Sequence, residues 1–183
     1  VAEAFDNGFR HLTHFYSCMS TITRRDGFRY PGVIESGFII GEMTLELIAD
    51  GCHVPPSLLK LVYDVKGASR VALVTDSMRA AGMGDGDYTL GGQAVHVTGS
   101  RATLADGTLA GSVTDLMGCM KTAVSFGIPL EEAVWAAAVN PARAIGIFSR
   151  VGSLEPGKRA NLVILDKDLE VKDVFFRGQR VDR

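Results

Sequence analysis

The sequence predicts an α/β fold built on a parallel sheet, and three observations carry that reading. VALVT (71–75) is a continuous, largely β-branched run, the pattern of a strand buried on both faces. Strand-like and helical segments alternate through residues 1–149, the order that a parallel sheet requires. Residues 150–183 then change to strand, turn, strand and read as a small β-element apart from the α/β body.

Taken in order, Val1, Ala4 and Phe5 fall at helical spacing, and Asn7-Gly8 is a helix stop. FRHLTHF (9–15) reads as a short strand, and Val33 to Ile40, with Gly37 inside, as a strand or loop. MTLELIA (43–49) ends at Asp50-Gly51. Pro55, Pro56 and Ser57 open an amphipathic helix that closes at Gly67. After VALVT come glycine-rich turns over 82–92 and the hairpin segments YTLGGQAVHVTG and RATLADG. A long helix is expected over 112–126, capped by Ser112 or Thr114. Two more are expected over 130–138 and 141–146, the second with Asn140 as N-cap and Pro141 at the first helical position.

Composition narrows the function. The 183 residues are 46% hydrophobic, enough for a domain with a real core but short of the ~250 residues of a complete (β/α)8 barrel. The net charge is −2 with acids and bases interspersed, so neither nucleic acid nor a membrane surface is an expected partner. Arg24, Arg25 and Arg29 are the densest basic cluster, a phosphate-sized feature or a solvated loop. Cys18, Cys52 and Cys119 are odd in number and far apart, which excludes a CxxC motif and fits a reducing compartment such as the cytoplasm. No apolar run reaches the ~18 residues of a membrane helix. The chain begins at Val1 within a helical pattern, without an initiator Met, and reads as a fragment.

Three strand-like segments each lead into a polar residue: His14, His53 and Asp76. In a (β/α) barrel, reactive groups sit at the carboxyl ends of strands, which puts all three on one rim. His11 and His14 form an HxxH; on a strand such a pair faces opposite ways, so only one could point inward. His53 follows Asp50-Gly51-Cys52 and is either a turn histidine or a donor that polarises a carbonyl. Asp76 is either a helix N-cap or an acid/base group able to move a proton between water and a leaving amine. GTLAGS (107–112) leads into a helix and is either a plain loop or a backbone cradle for a polar ligand.

THFYSCM (13–19), IADGCHV (48–54), LVTDSM (73–78) with AAG (80–82), DGTLAGS (106–112), NPA (140–142) and GSLEPGKRANLVILD (152–166) occur together, in order, over nearly the whole chain. In this set the chain resembles the N-acetylglucosamine-6-phosphate deacetylase family of the amidohydrolase superfamily. The resemblance implies the C-terminal part of a (β/α)8 metal-dependent hydrolase barrel over 1–149, and the C-terminal strands of a small β-sandwich over 150–183. It implies hydrolysis of the acetamide of N-acetylglucosamine 6-phosphate, with a divalent metal (zinc, or iron or another ion in its place) and a homodimeric assembly.

It further implies a metal role for His14 and an acid/base role for Asp76. Substrate contacts are implied for Asp50, Gly51, Cys52 and His53, for Leu109, Ala110 and Gly111, and, at the sugar phosphate, for Arg25 with Arg24 as the alternative. Ser17-Cys18 stands where the family carries Asn-Ala beside the sugar, so a related sugar such as N-acetylgalactosamine 6-phosphate is the alternative substrate. The family's other metal ligands fall upstream of Val1. A catalytic site usually needs three protein ligands, so the chain alone is expected to be inactive, or to be a half-barrel that associates with another chain.

Overall fold

A computed structural model describes residues 1–182. The chain is mixed α/β, with four small sheets among the described residues. It divides into two compact units, Val1–Ala137 and the remainder from Ala138.

The first unit opens with helix α1 (Ala2–Asp6), then strand β1 (His11–Leu12). A hairpin of β2 (Thr23–Arg25) and β3 (Phe28–Tyr30) follows, then α2 (Val33–Ile39), β4 (Thr44–Ile48), α3 (Pro56–Lys66) and β5 (Val71–Val74). Strands β1, β4 and β5 form a parallel sheet in that order, with Leu12 opposite Leu45 and Ile48 opposite Val74. The strand–helix alternation is therefore realised as a parallel sheet. Leu45, Leu47, Leu59, Val62, Val71 and Leu73 are fully buried, and each such side chain is worth roughly 1.5–3 kcal/mol.

Residues 33–40 correct the sequence reading: they form α2, not a strand or loop. Its start is set by Glu35, whose Oε2 accepts the Gly32 amide at 2.8 Å while its Oε1 accepts the Thr21 hydroxyl at 2.6 Å. Gly37 is required by packing. A Cβ there would stand 2.7 Å from the ring of Phe15, so α2 can lie against the turn after β1 only without a side chain at that place. Phe15 is buried there, edge-on to Phe38 at 5.4 Å. Lys66 locks the other end of α2, its Nζ donating to the Gly37, Ile40 and Gly41 carbonyls at 2.8, 2.6 and 3.2 Å.

After β5 an antiparallel sheet forms from β6 (Gly86–Leu90), β7 (Gln93–Thr98) and β8 (Arg101–Thr103). Its inward residues Val95, Val97 and Ala102 pack with Met78, Ala80 and Ala110, joining this sheet to the segments on either side of it in sequence. Helix α4 (Leu116–Ser125) starts later than expected, and its cap is neither Ser112 nor Thr114. Asp115 accepts the Gly118 amide at 2.6 Å, because Ser112 is committed to the chain beside Asp76.

Helix α5 (Leu130–Val134) is shorter than its periodicity predicts and runs into a π-type turn at Trp135–Val139, followed by α6 (Asn140–Ala144). Val139 keeps helical angles (φ −71°, ψ −53°), so Asn140 is a buried residue within a helical run and not an N-cap. The missing amide of Pro141 falls where the wide turn has already broken the regular ladder. The second unit ends in an antiparallel sheet of β9 (Leu162–Leu165), β10 (Val171–Phe176) and β11 (Gln179–Arg180), the small β-element expected at the end of the chain.

Candidate active site

Because β1, β4 and β5 are parallel, their carboxyl ends share one edge. His14 lies just past β1, Asp50 and His53 past β4, and Asp76 past β5. The expectation that HxxH would place two histidines on opposite faces of one strand does not hold. The strand stops at Leu12, and His14 sits in a turn with φ 30°.

That turn is held from the neighbouring strand. Glu46, in the middle of β4, accepts the Thr13 hydroxyl at 2.6 Å and the His14 amide at 3.3 Å on Oε2, and meets His11 Nε2 at 2.9 Å on Oε1. The backbone carbonyl of Glu46 takes the Phe15 amide at 2.8 Å. Burial works to raise the Glu46 carboxyl, but the hydrogen bonds from Thr13 and His11, the nearby His11 charge and the His14 amide outweigh it and hold it below its ordinary value. His14 Nδ1 is buried and makes no hydrogen bond with the protein. The turn continues through Tyr16 (φ 81°), Ser17, whose amide donates to the His14 carbonyl at 3.0 Å, and exposed Cys18 (φ 54°).

After β4, Asp50 builds a second arrangement. Its Oδ1 accepts the amides of Cys52 (2.9 Å) and His53 (2.8 Å), and its Oδ2 lies 2.7 Å from His53 Nδ1. The two side chains are 1% and 9% exposed, so the pair is shielded. Desolvation pushes the Asp50 carboxyl up, yet the His53 ring and the two amides prevail and keep it below the usual carboxylate value. The Asp50 contact occupies Nδ1 and leaves Nε2 as the ring nitrogen available to a ligand.

Asp76 is exposed, with φ 48°. Its carbonyl accepts the Ser112 amide at 2.9 Å, and Met78 donates back to the Ser112 carbonyl at 2.8 Å, so Ser77 and Ser112 form a parallel bridge. The buried Ser112 hydroxyl donates to the Thr75 carbonyl. This lays Gly111 beside Asp76, while the Ala110 amide donates to the Ala102 carbonyl at 3.0 Å and Leu109 bridges to Thr103. Gly111 has φ 74°, and a Cβ there would meet the Asp76 carbonyl oxygen at 3.2 Å.

The hairpin of β2 and β3 divides the basic cluster. Arg24 pairs with Arg29 and shares its face, whereas Arg25 falls on the other face with Tyr30, 5.6 Å from its ring centroid. Cys119 is buried, which pushes its thiol up to about 11, and its Sγ donates to the Val74 carbonyl at 3.5 Å.

A buried imidazole nitrogen without a protein partner fits a metal donor. Among the described residues no three His, Cys, Asp or Glu side chains cluster to hold a metal ion, so His14 would be one donor of a larger set. Sequence reasoning passed over Glu46, Thr13 and Thr44, and it left His11 without a role. Glu46 left one trace, as the one ionisable residue inside TLELI, and that trace does not say what it holds.

The amidohydrolase family model matches residues 1–181. The chain belongs to the amidohydrolase family. It is 40% identical, over 96% of its length, to an N-acetylgalactosamine-6-phosphate deacetylase of Escherichia coli O157:H7, of which it covers 46%. To the N-acetylglucosamine-6-phosphate deacetylase of Bacillus subtilis (strain 168) it is also 40% identical, over 97% of its length and 44% of the relative's. The crystal structure of N-acetylglucosamine-6-phosphate deacetylase from Thermotoga maritima superposes on the whole chain with a TM-score of 0.90 at 35% identity, and 49% of that protein is covered. This amidohydrolase chain thus spans a little under half the length of these relatives.

Proposed function

We propose that the protein carrying this chain hydrolyses the acetamide of an N-acetylated amino-sugar 6-phosphate, with N-acetylglucosamine 6-phosphate as substrate. The observation that carries the reading is the shared edge of β1, β4 and β5, onto which His14, the Asp50–His53 pair and Asp76 all follow. In this reading residues 1–149 are part of a (β/α)8 barrel and 150–183 part of a β-sandwich.

His14 would hold a divalent metal, with zinc first and iron or another ion as the alternative. When bound, the ion supplies a Lewis acid that acidifies water. Asp76 takes a proton from the attacking water and returns it to the departing nitrogen, so the amide and water become an amine and acetate. Amine loss without that proton would expel a strongly basic anion. His53, oriented by Asp50, donates from Nε2 to the developing oxyanion, a role commonly worth about 3–4 kcal/mol; the doubly protonated ring is the form that does this. Leu109, Ala110 and Gly111 line the sugar beside Asp76, Ser17 and Cys18 border it, Gly51 and Cys52 flank His53, and Arg25 (Arg24 as alternative) meets the phosphate.

The remaining metal donors must come from elsewhere in the whole protein or from an associated chain, and the 183 residues alone are expected to be inactive. A homodimer in the cytoplasm is the assembly and location that the family resemblance and the three free cysteines favour. Among the described residues no helix is long and apolar enough to cross a membrane. Ser17-Cys18, together with the 40% identity to the galactosamine-type relative, favours N-acetylgalactosamine 6-phosphate as the second reading.

The test is acetate release by the complete protein with zinc or iron supplied, from both sugar phosphates side by side. Turnover of one or both is expected. A folded, metal-supplied protein that releases acetate from neither would overturn the reading.

A further inference from the structure

We propose that Glu46 is the positioning residue for His14, an inference that rests on the metal role given to His14 above. One residue grips three successive positions of the turn. The Glu46 carboxylate takes the Thr13 hydroxyl at 2.6 Å and the His14 amide at 3.3 Å, and its carbonyl takes the Phe15 amide at 2.8 Å. The other carboxylate oxygen is braced by His11 Nε2 at 2.9 Å. His11 is itself fixed through Nδ1 to the Thr44 hydroxyl at 2.6 Å, and that hydroxyl is 3.0 Å from the Arg10 carbonyl.

The grip has a specific purpose in the geometry. His14 adopts φ 30°, a left-handed conformation that costs a non-glycine residue about 1–2 kcal/mol. Such a conformation persists only where its surroundings over-determine it. Every bond from Glu46 to His14 is to the backbone, so the ring nitrogen Nδ1 stays buried and open. A carboxylate placed only to fill the interior of β4 would need none of these contacts. One that aims a ligand must hold the main chain and leave the ring free.

The test compares Glu46→Ala and Glu46→Gln with wild type in the complete protein. Zinc affinity is read by competition with a chromophoric chelator, folding by circular dichroism, and acetate release as separate kcat and KM values. Glu46→Ala is expected to weaken zinc binding about 10–100-fold and to lower kcat with KM little changed. Glu46→Gln keeps one carbonyl oxygen for Thr13 and His14 and should recover most of that loss, remaining about threefold or more weaker than wild type. A folded Glu46→Ala protein with wild-type zinc affinity overturns the proposal while leaving the deacetylase reading intact. A wild-type protein that neither binds zinc nor releases acetate overturns both. If Glu46→Ala does not fold, Glu46→Gln decides: weakened affinity supports the proposal, and unchanged affinity overturns it.

Discussion

Asp50 holds His53 at two points, the ring at Nδ1 (2.7 Å) and the backbone amide (2.8 Å), through its two different carboxylate oxygens. The double hold fixes both where the imidazole sits and which nitrogen it presents. Replacing Asp50 with Asn keeps an acceptor for the amides but removes the anion facing Nδ1. The expected result is a folded protein whose kcat for acetate release falls by about 100-fold or more. Asp50→Ala also strands the part-buried amides of Cys52 and His53 and should cost about 1–2 kcal/mol in chemical denaturation.

Asp76 separates chemistry from structure more cleanly. Its side chain is exposed, and its bonds to the neighbouring segment run through its carbonyl. Asp76→Asn suits the left-handed backbone, since Asn tolerates that region better than most residues. The melting temperature should therefore stay within a degree or two (about 0.5 kcal/mol or less), while kcat drops by about 100–10,000-fold. Equal losses in melting temperature and activity would assign Asp76 a structural role instead.

Gly111 is the place where the segment proposed to line the sugar meets Asp76. Gly111→Ala puts a Cβ at 3.2 Å from the Asp76 carbonyl oxygen and forces a side chain into φ 74°. A destabilisation of about 1–2 kcal/mol is expected by denaturant titration. It should be accompanied by a lower kcat, because the displaced atom belongs to Asp76 itself.

Acid sensitivity follows from Glu46 and Asp50, both held below their reference values of 4.5 and 3.8. A depressed carboxyl contributes stability that is fully present above its unfolded value and is lost as pH falls through the folded one. The urea midpoint should stay level from neutral pH to about 5 and decline below that, through the reference values and beyond. Glu46→Gln should make the decline shallower; an identical slope would mean that Glu46 titrates alike in the folded and unfolded chain.

The elements legible in the sequence were those whose signal is local. VALVT gave β5 from its β-branched run, and PPSLLKLVYDVKG gave α3 from its proline start and amphipathic spacing. The misses share a physical cause. Helix α2 is started by Glu35 and admitted by Gly37 against Phe15, a contact made across the fold. The Asn140-Pro141 pair imitates a helix start, but a π-type turn carries the helical angles past it. Of the candidate residues, His14, His53 and Asp76 could be placed because each follows a strand. Glu46 could not, because its partners His11, Thr13 and His14 lie 35, 33 and 32 residues earlier and only the register of β1 on β4 brings them together.

The clasp of residues 13–15 by Glu46 also bears on how this scaffold can be re-engineered. A segment such as THFYSCM invites transplantation between relatives as a cassette, to test the sugar role proposed for Ser17-Cys18. Its shape, however, is written partly at position 46, on a different strand. A graft of 13–19 alone would deliver the right letters onto the wrong template, and the exchangeable module is the turn together with β4.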